Sequence, residues 1–389
     1  MSISRCHRIT HFRELARKRL PSPMFHFIDG GSDDEYTLQR NTTAFDDYQL
    51  MPNYLVDVAK IDTRTKLFGK TLDWPVFLSP TGTTRLFHTG KELAVARAAK
   101  KMNTLYSVST MSTTSLEDIA AVSDGLKMFQ IYVFKDRELT REFVQRCKAS
   151  KYDVLCLTVD VPVPSNRERD RMTGMTIPPR FGLNSLLSFA MHPGWSLPWL
   201  TNPRFALENV AHRAGGLGPG INVMDYVNSQ FDRTVTWKDA EWLAKEWGGP
   251  FVIKGLMSPD DAKRAKDIGA TAVMVSNHGG RQMDAVPGAV ECVGRMRDAV
   301  GDGLELIVDG GIRRGTHVIK ALALGANACS IGRPYLWGLA SGGEAGVERV
   351  ISLLRAEVER DMALLGVSTI GEIGAGLLVN TPKWPSNRP

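Results

Sequence analysis

The chain has 389 residues, 43% of them hydrophobic and 23% charged, with a formal net charge of +6 and a pI near 9.0. That is the balance of an ordinary globular protein. No block of like charge marks a nucleic-acid tail, although anionic ligands or an anionic membrane surface fit the basic excess. No run approaches the ~20 apolar residues of a spanning helix, and Met1 to Arg19 carries no secretory h-region. The five cysteines, Cys6, Cys147, Cys156, Cys292 and Cys329, are scattered. Without metal-ligand spacing they are expected to be reduced thiols of a cytosolic protein with no metal centre.

Thr10 to Leu20 reads as a helix stopped by Pro21. Met24–Gly31 is an aromatic stretch ending in a glycine pair; helix packing is the favoured reading there, a pocket wall the other. From Trp74 onward short apolar runs alternate with amphipathic stretches. The runs are Val76–Ser79, Leu105–Ser109, Met128–Tyr132, Val154–Asp160, Phe251–Gly255, Ala272–Asn277, Leu304–Asp309 and Ala328–Gly332. Between them Lys91–Lys101, Arg137–Ala149, Pro259–Ile268 and Gly315–Leu324 have helical spacing, and Glu344–Leu365 is the expected closing helix. Near-continuous hydrophobic strands alternating with helices require a parallel (β/α)₈ TIM barrel, here α/β with an N-terminal helical segment. A doubly wound sheet is the alternative, but its dinucleotide fingerprint is absent. The expectation is one domain over 1–389, with the barrel at about 74–340 and an insertion at about 161–235 after the fourth strand. That insertion carries Leu186, Leu187, Phe189, Trp195, Leu197, Trp199 and Leu200 beside basic residues. It suits a membrane interface or an active-site lid or intersubunit packing, and both readings stand.

Chemistry in such a barrel sits at the carboxyl ends of the strands. Those ends offer Pro80-Thr81-Gly82, Ser109, Gln130 with Tyr132, Thr158 with Asp160 and then Arg167, Lys254, His278 with Arg281, Asp309-Gly310-Gly311-Ile312-Arg313, and Gly332-Arg333. One polar strand end is usually just a satisfied buried group; polar or glycine chemistry at all eight is a site. The stretch Ser276–Asp284 dominates it, because a buried strand delivers one titratable imidazole and one permanent cation to the same place. A histidine takes a proton near neutral pH and an arginine grips a carboxylate, so proton abstraction from a small anionic substrate follows. Glycines and arginines at the last two ends suit a phosphate.

Ser276–Asp284, Asp309–Gly315, Phe129–Tyr132 and Leu157–Asp160 closely resemble the FMN-dependent L-2-hydroxy acid oxidoreductases, which include glycolate oxidase, L-lactate dehydrogenase and mandelate dehydrogenase. The resemblance runs from Leu20-Pro21 to the final helix. The insertion, with Met191–Leu197, looks most like that of the membrane-associated lactate and mandelate dehydrogenases, where it is the attachment element. By resemblance His278 is the catalytic base, with Asp160 holding its imidazolium and so expected to raise its pKa. Arg281 and Arg167 bind the substrate carboxylate, and Tyr132 hydrogen-bonds the substrate. Pro80, Thr81, Gly82, Ser109, Gln130 and Thr158 contact the FMN ring, and Lys254 lies at its N1 and O2 edge. Asp309 takes the ribityl chain, while Gly311, Arg313, Gly332 and Arg333 take the phosphate.

The implied reaction is oxidation of a lactate-like or larger L-2-hydroxy acid to the 2-oxo acid, with electrons passed to a quinone or cytochrome. An oxidase that passes them to oxygen and releases hydrogen peroxide is the alternative; Gly82 and the insertion lean toward the dehydrogenases. The same resemblance implies a homotetramer, cytoplasmic or peripheral on the inner face of the cell membrane through the segment 176–232, with no nucleic-acid partner. Two positions depart from the family pattern. Phe27 replaces a substrate-contacting tyrosine, and Met111 replaces a bulky aromatic. Both favour a substrate more apolar than glycolate, and they keep a same-fold flavoenzyme for an atypical substrate in view. An IMP-dehydrogenase-like barrel would want a catalytic cysteine, which none of the five clearly supplies. A non-catalytic scaffold is disfavoured by the complete His–Arg–Asp–Lys set.

Overall fold

The computed structural model describes residues 2–176, 178–202, 205–214 and 229–379. Eight parallel strands carry the architecture: β1 (Val76–Thr81), β2 (Tyr106–Ser109), β3 (Lys127–Ile131), β4 (Val154–Thr158), β5 (Phe251–Leu256), β6 (Ala272–Ser276), β7 (Glu305–Asp309) and β8 (Ala328–Ile331). They close into a barrel in the order β7-β8-β1-β2-β3-β4-β5-β6. Each lies within two residues of the run expected from hydrophobicity.

A strand presents alternate residues to opposite faces, and here that period sorts the barrel into layers. Val76, Leu78, Phe129, Ile131, Val273 and Val275 face the surrounding helices, while Phe77, Met128, Cys156, Val252, Met274, Ile307 and Ala328 fill the interior. Two residues further along the same strands stand Ser79, Gln130, Thr158, Lys254, Ser276, Asp309 and Ser330. The interior therefore turns from apolar to polar one layer below its carboxyl-end mouth. The opposite end is closed by the hairpin Thr65–Leu67/Lys70–Leu72, whose Leu67, Phe68 and Leu72 complete the inner core.

Helices α1 (Ile9–Arg19), α2 (Ser22–Asp29) and α3 (Tyr36–Thr43) precede the barrel; α4 (Lys91–Lys101), α5 (Leu116–Val122) and α6 (Arg137–Ala149) follow β1, β2 and β3. The excursion after β4 contains α7 (Glu168–Met172), α8 (Leu183–Met191), α9 (Pro193–Thr201) and the turn α10 (Ala211–Ala214), and α11 (Trp237–Trp247) returns to the barrel. Its glycine-rich part, 215–228, lies outside the described residues, as do Ile177 and 203–204. Helices α12 (Pro259–Asp267), α13 (Ala289–Val300) and α14 (Gly315–Ala323) complete the next units, and α15 spans Arg333–Leu365. Non-helical backbone at Gly342 and Gly343 splits α15 in two. Its second half is the expected closing helix; its first half is the eighth barrel helix, which begins at the strand-end residue Arg333 itself. No helix among the described residues is long and apolar enough to cross a membrane.

Helix α2 settles the aromatic stretch. It is a helix and it packs, with Met24, Phe25 and Ile28 in the core. It also places Phe27 against Arg167, Arg281 and Phe87.

Candidate active site

The polar layer is wired across strands by register. Asp309 on β7 lies beside Ser276 on β6 and Ser330 on β8, and Thr158 on β4 lies beside Lys254 on β5. The hydroxyls of Ser79, Ser276 and Ser330 donate to the Asp309 carboxylate at 2.7, 2.8 and 2.6 Å. Lys254, only 3% exposed, places Nζ 3.3 Å from Asp309 Oδ2 and 3.9 Å from Asp160 Oδ2. Burial alone would strip the charge from this ammonium, but the two carboxylates overcome it and raise its pKa. Both carboxylates are correspondingly lowered despite burial, with Lys254 the largest opposing influence on each.

The other oxygen of Asp160 meets the imidazole: Oδ1 lies 2.9 Å from His278 Nδ1. His278 adopts a left-handed φ of +58, and its backbone N–H donates to Ser276 Oγ at 3.0 Å. Nδ1 faces Asp160, which leaves Nε2 as the ring nitrogen for a substrate. Asp160 raises the pKa of His278 as expected, but burial is the largest influence and lowers it overall. That direction favours the neutral imidazole, the form a proton acceptor needs.

Gly255 makes this junction possible. A bulge shifts the pairing of β5 with β6 between Lys254 and Leu256, and Gly255 sits in it at φ +108. A Cβ there would stand 2.7 Å from Cβ and Cγ of Asp160. Only glycine accepts both that backbone and that approach.

Beside the imidazole, two guanidiniums meet over one ring. Arg167 and Arg281 place Cζ 5.2 and 5.3 Å from the centroid of Phe27. Arg281 donates to the carbonyls of Phe27 at 2.7 Å and Gly30 at 3.3 Å, so the carboxyl end of α2 holds it. Burial drives its pKa well down, and Arg167 and Arg333 add to this. A guanidinium nevertheless stays protonated, so the site concentrates positive charge suited to an anion. Phe27 also stacks on Phe87 at 6.3 Å. Tyr132 packs edge-on against Phe231 at 5.0 Å, and burial raises its phenol to about 12, which keeps the O–H as a donor. Phe231, at the far end of the excursion, was not anticipated; nothing in its local sequence signals it. Met111 packs against Gly82, where a Cβ would lie 2.7 Å from Met111 Cβ.

The remaining residues test for a cofactor. Ser109 donates to Gln130 Oε1 at 3.0 Å, which fixes the amide with Nε2 turned away. That Nε2 and the Thr158 hydroxyl are buried without a hydrogen-bond partner among the described residues. Buried polar atoms are normally satisfied, so this row fits the polar edge of a flat ring. At β7 and β8, Gly311 has φ +77, and a Cβ would strike the Asn41 carbonyl at 1.7 Å. Burial, then mutual repulsion with Arg333, pushes Arg313 to about 9; burial pushes Arg333 to about 10. Such crowding of cations suits a phosphate. Arg333 is also structural: its three nitrogens donate to the carbonyls of Ile28, Gly279 and Gly30 at 2.8–3.0 Å. It thereby ties α2 to the His278 loop.

A protein-family model described as FMN-dependent dehydrogenase matches residues 16–380. The chain belongs to the FMN-dependent dehydrogenase family. It is 42% identical over 371 residues to an L-lactate oxidase of Nostoc sp., covering 94% of this chain and 96% of the relative. To an L-lactate dehydrogenase of Alcaligenes faecalis it is 38% identical, covering 96% and 98%. A solved structure of the monotopic membrane protein (S)-mandelate dehydrogenase superposes with a TM-score of 0.92 at 34% identity, covering 97% of this chain and all of that one. The chain is thus an FMN-dependent 2-hydroxy acid oxidoreductase on a TIM-barrel fold.

Proposed function

We propose that the substrate is an L-2-hydroxy acid with an apolar side chain, lactate or larger, and that His278 takes its hydroxyl proton. The 2.9 Å contact between His278 and Asp160, set beside two guanidiniums over Phe27, carries this reading. Arg167 and Arg281 grip the carboxylate, which turns the α-carbon and its hydroxyl toward Nε2 of His278. Tyr132 donates to the substrate. Asp160 stabilises the imidazolium as it forms. Phe27, Phe87, Met111 and Phe231 supply an apolar wall for the side chain.

FMN, when bound, accepts the electron pair. Pro80, Thr81, Gly82, Ser109, Gln130 and Thr158 would hold its ring, with Lys254 offering a fixed positive charge at the polar edge. Asp309 would meet the ribityl chain, and Gly311, Arg313, Gly332 and the free N–H groups of Arg333 would hold the phosphate.

The acceptor reading follows from the excursion. Helix α8 exposes Leu183, Leu186, Leu187 and Met191, and α9 exposes Leu197 and Leu200. Behind them Phe181, Phe189, Trp195, Trp199 and Phe205 pack in sequence. Leucines left in water over a rigid aromatic stack suit the membrane interface, where a quinone is the acceptor at hand. The L-lactate oxidase relative supports the second reading, transfer to oxygen. Assembly as a tetramer belongs to the same proposal and is read by light scattering. Flotation with anionic vesicles and turnover with a soluble quinone analogue, against peroxide release in air, test the acceptor. Binding lost on changing Leu183, Leu187 and Leu200 to serine, with fast quinone reduction, supports the first reading. Peroxide release at the full turnover rate, with no vesicle binding, supports the second.

A further inference from the structure

The two guanidiniums over Phe27 need something to hold them together, and α7 supplies it. Asp170 is 5% exposed, yet it is a carboxylate on a short helix outside the barrel. Its Oδ2 lies 3.2 Å from Arg167 Nη1, and the same oxygen makes no hydrogen bond to any described residue. Burial raises its pKa, against the pull of the nearby Arg167 and Arg281 and with Glu35 adding to the rise. Arg281 forms no ion pair with a carboxylate among the described residues; the partners it has are the carbonyls of Phe27 and Gly30. Asp170 is its largest compensating charge.

A buried carboxylate is costly unless cations face it, and a bridge of this kind adds little to stability on balance. Its presence therefore points to geometry. Arg167 is the residue that needs it. The side chain is 31% exposed, makes no capping hydrogen bond to α7 although Arg167 is its N-cap residue, and would otherwise swing into solvent. Asp170 itself is fixed, because its neighbour Arg169 pairs with Asp29 and Glu35 and so locks α7 onto α2.

Resting on the reading of Arg167 and Arg281 as the carboxylate clamp, we infer that Asp170 is a positioning residue, the counter-ion that holds Arg167 converged with Arg281 on the substrate anion. It touches neither substrate nor cofactor and acts through Arg167.

The test is a double-mutant cycle on FMN-loaded protein, with oxalate as an unreactive dianion and its Kd read from the flavin absorbance change. Asp170→Asn keeps shape and removes charge. It is expected to weaken oxalate roughly tenfold and to raise KM by a similar factor, while kcat at saturation changes less than about threefold. In an Arg167→Met background the same substitution is expected to have no further effect. An unchanged Kd, or an equal loss in both backgrounds, overturns the inference, since Asp170 would then act without Arg167. If Asp170→Asn does not fold, Asp170→Ser reads the same cycle. Arg281→Met is the control for the clamp: if it leaves oxalate binding untouched, the clamp reading fails, whereas a weakened Arg281→Met beside an unaffected Asp170→Asn refutes Asp170 alone.

Discussion

Replacing Asp160 with asparagine removes one charge and leaves the side chain its size. In the native protein Asp160 Oδ1 stands 2.9 Å from His278 Nδ1, and Oδ2 shares the carboxylate charge with Lys254 at 3.9 Å. Opposite charges about 4 Å apart attract by about 4 kcal/mol at an effective dielectric near 20. The share left to the imidazolium after Lys254 is served is about half of that. At about 1.4 kcal/mol per decade, a loss of about 2 to 4 kcal/mol slows substrate oxidation between roughly 30-fold and 10³-fold. The pH dependence should also move. His278 must be neutral to accept a proton, so the rate rises as pH climbs through its pKa. Burial already lowers that pKa against the pull of Asp160; without the carboxylate it falls further, and the acid limb shifts to lower pH while the plateau drops. The assay is anaerobic stopped-flow bleaching of the flavin by substrate, from about pH 5 to about pH 9. A variant within threefold of wild type, with its limb unmoved, would show that Asp160 does not stabilise the imidazolium.

Other perturbations reach the same network from further away. Gly255→Ala places a Cβ 2.7 Å from Cβ and Cγ of Asp160, and should slow flavin reduction about 10- to 10²-fold in a folded protein with normal FMN absorbance; unchanged kinetics would mean the bulge absorbs the methyl group. His317 stacks on Phe45 and is pushed down to about 4, chiefly by burial. Its native form thus resists a proton that the unfolded chain accepts near pH 6.5, so this stabilisation is complete above about pH 6.5 and about 3 kcal/mol of it disappears by about pH 4. Urea unfolding of His317→Gln should show that much less acid sensitivity, and an identical pH slope would discount the residue. Arg85, buried beneath α9, donates to the carbonyl of Asn202 at 2.9 Å and lies 4.5 Å from the Trp199 ring. Arg85→Met should speed hydrogen exchange across 183–202 roughly 30-fold, the equivalent of about 2 kcal/mol of local stability; unaltered exchange would show that the excursion is held elsewhere.

Much of this was legible in the sequence because a barrel strand declares itself twice. Val273 and Val275 mark a buried strand by hydrophobicity, and Ser276-Asn277-His278 marks its functional end by the change of chemistry. The eight ends named His278, Asp160, Lys254, Arg281 and Arg167 before any of them had a position. What stayed hidden depends on closure in three dimensions. Asp170 and Gly255 look ordinary in sequence; one matters because α2 lies over it, the other because Asp160 presses on it. The serines around Asp309 sit on three strands that only the barrel makes neighbours. Asp160 raises the pKa of His278, as a partner carboxylate in the sequence suggests, but the burial that outweighs it is not visible in sequence. The substrate position of Phe27 came from resemblance alone, because a helix reveals its spacing and not what it leans over.

The most direct measurement is anaerobic mixing of the FMN-loaded protein with the two enantiomers of lactate and of mandelate, for both wild type and His278→Ala. Wild type should be bleached rapidly by at least one L-acid and not by its D-enantiomer, and His278→Ala should bind FMN and oxalate yet stay yellow. Bleaching of the alanine variant at the wild-type rate, or a wild-type protein that dithionite reduces and no 2-hydroxy acid does, would contradict proton abstraction by His278 from an L-2-hydroxy acid.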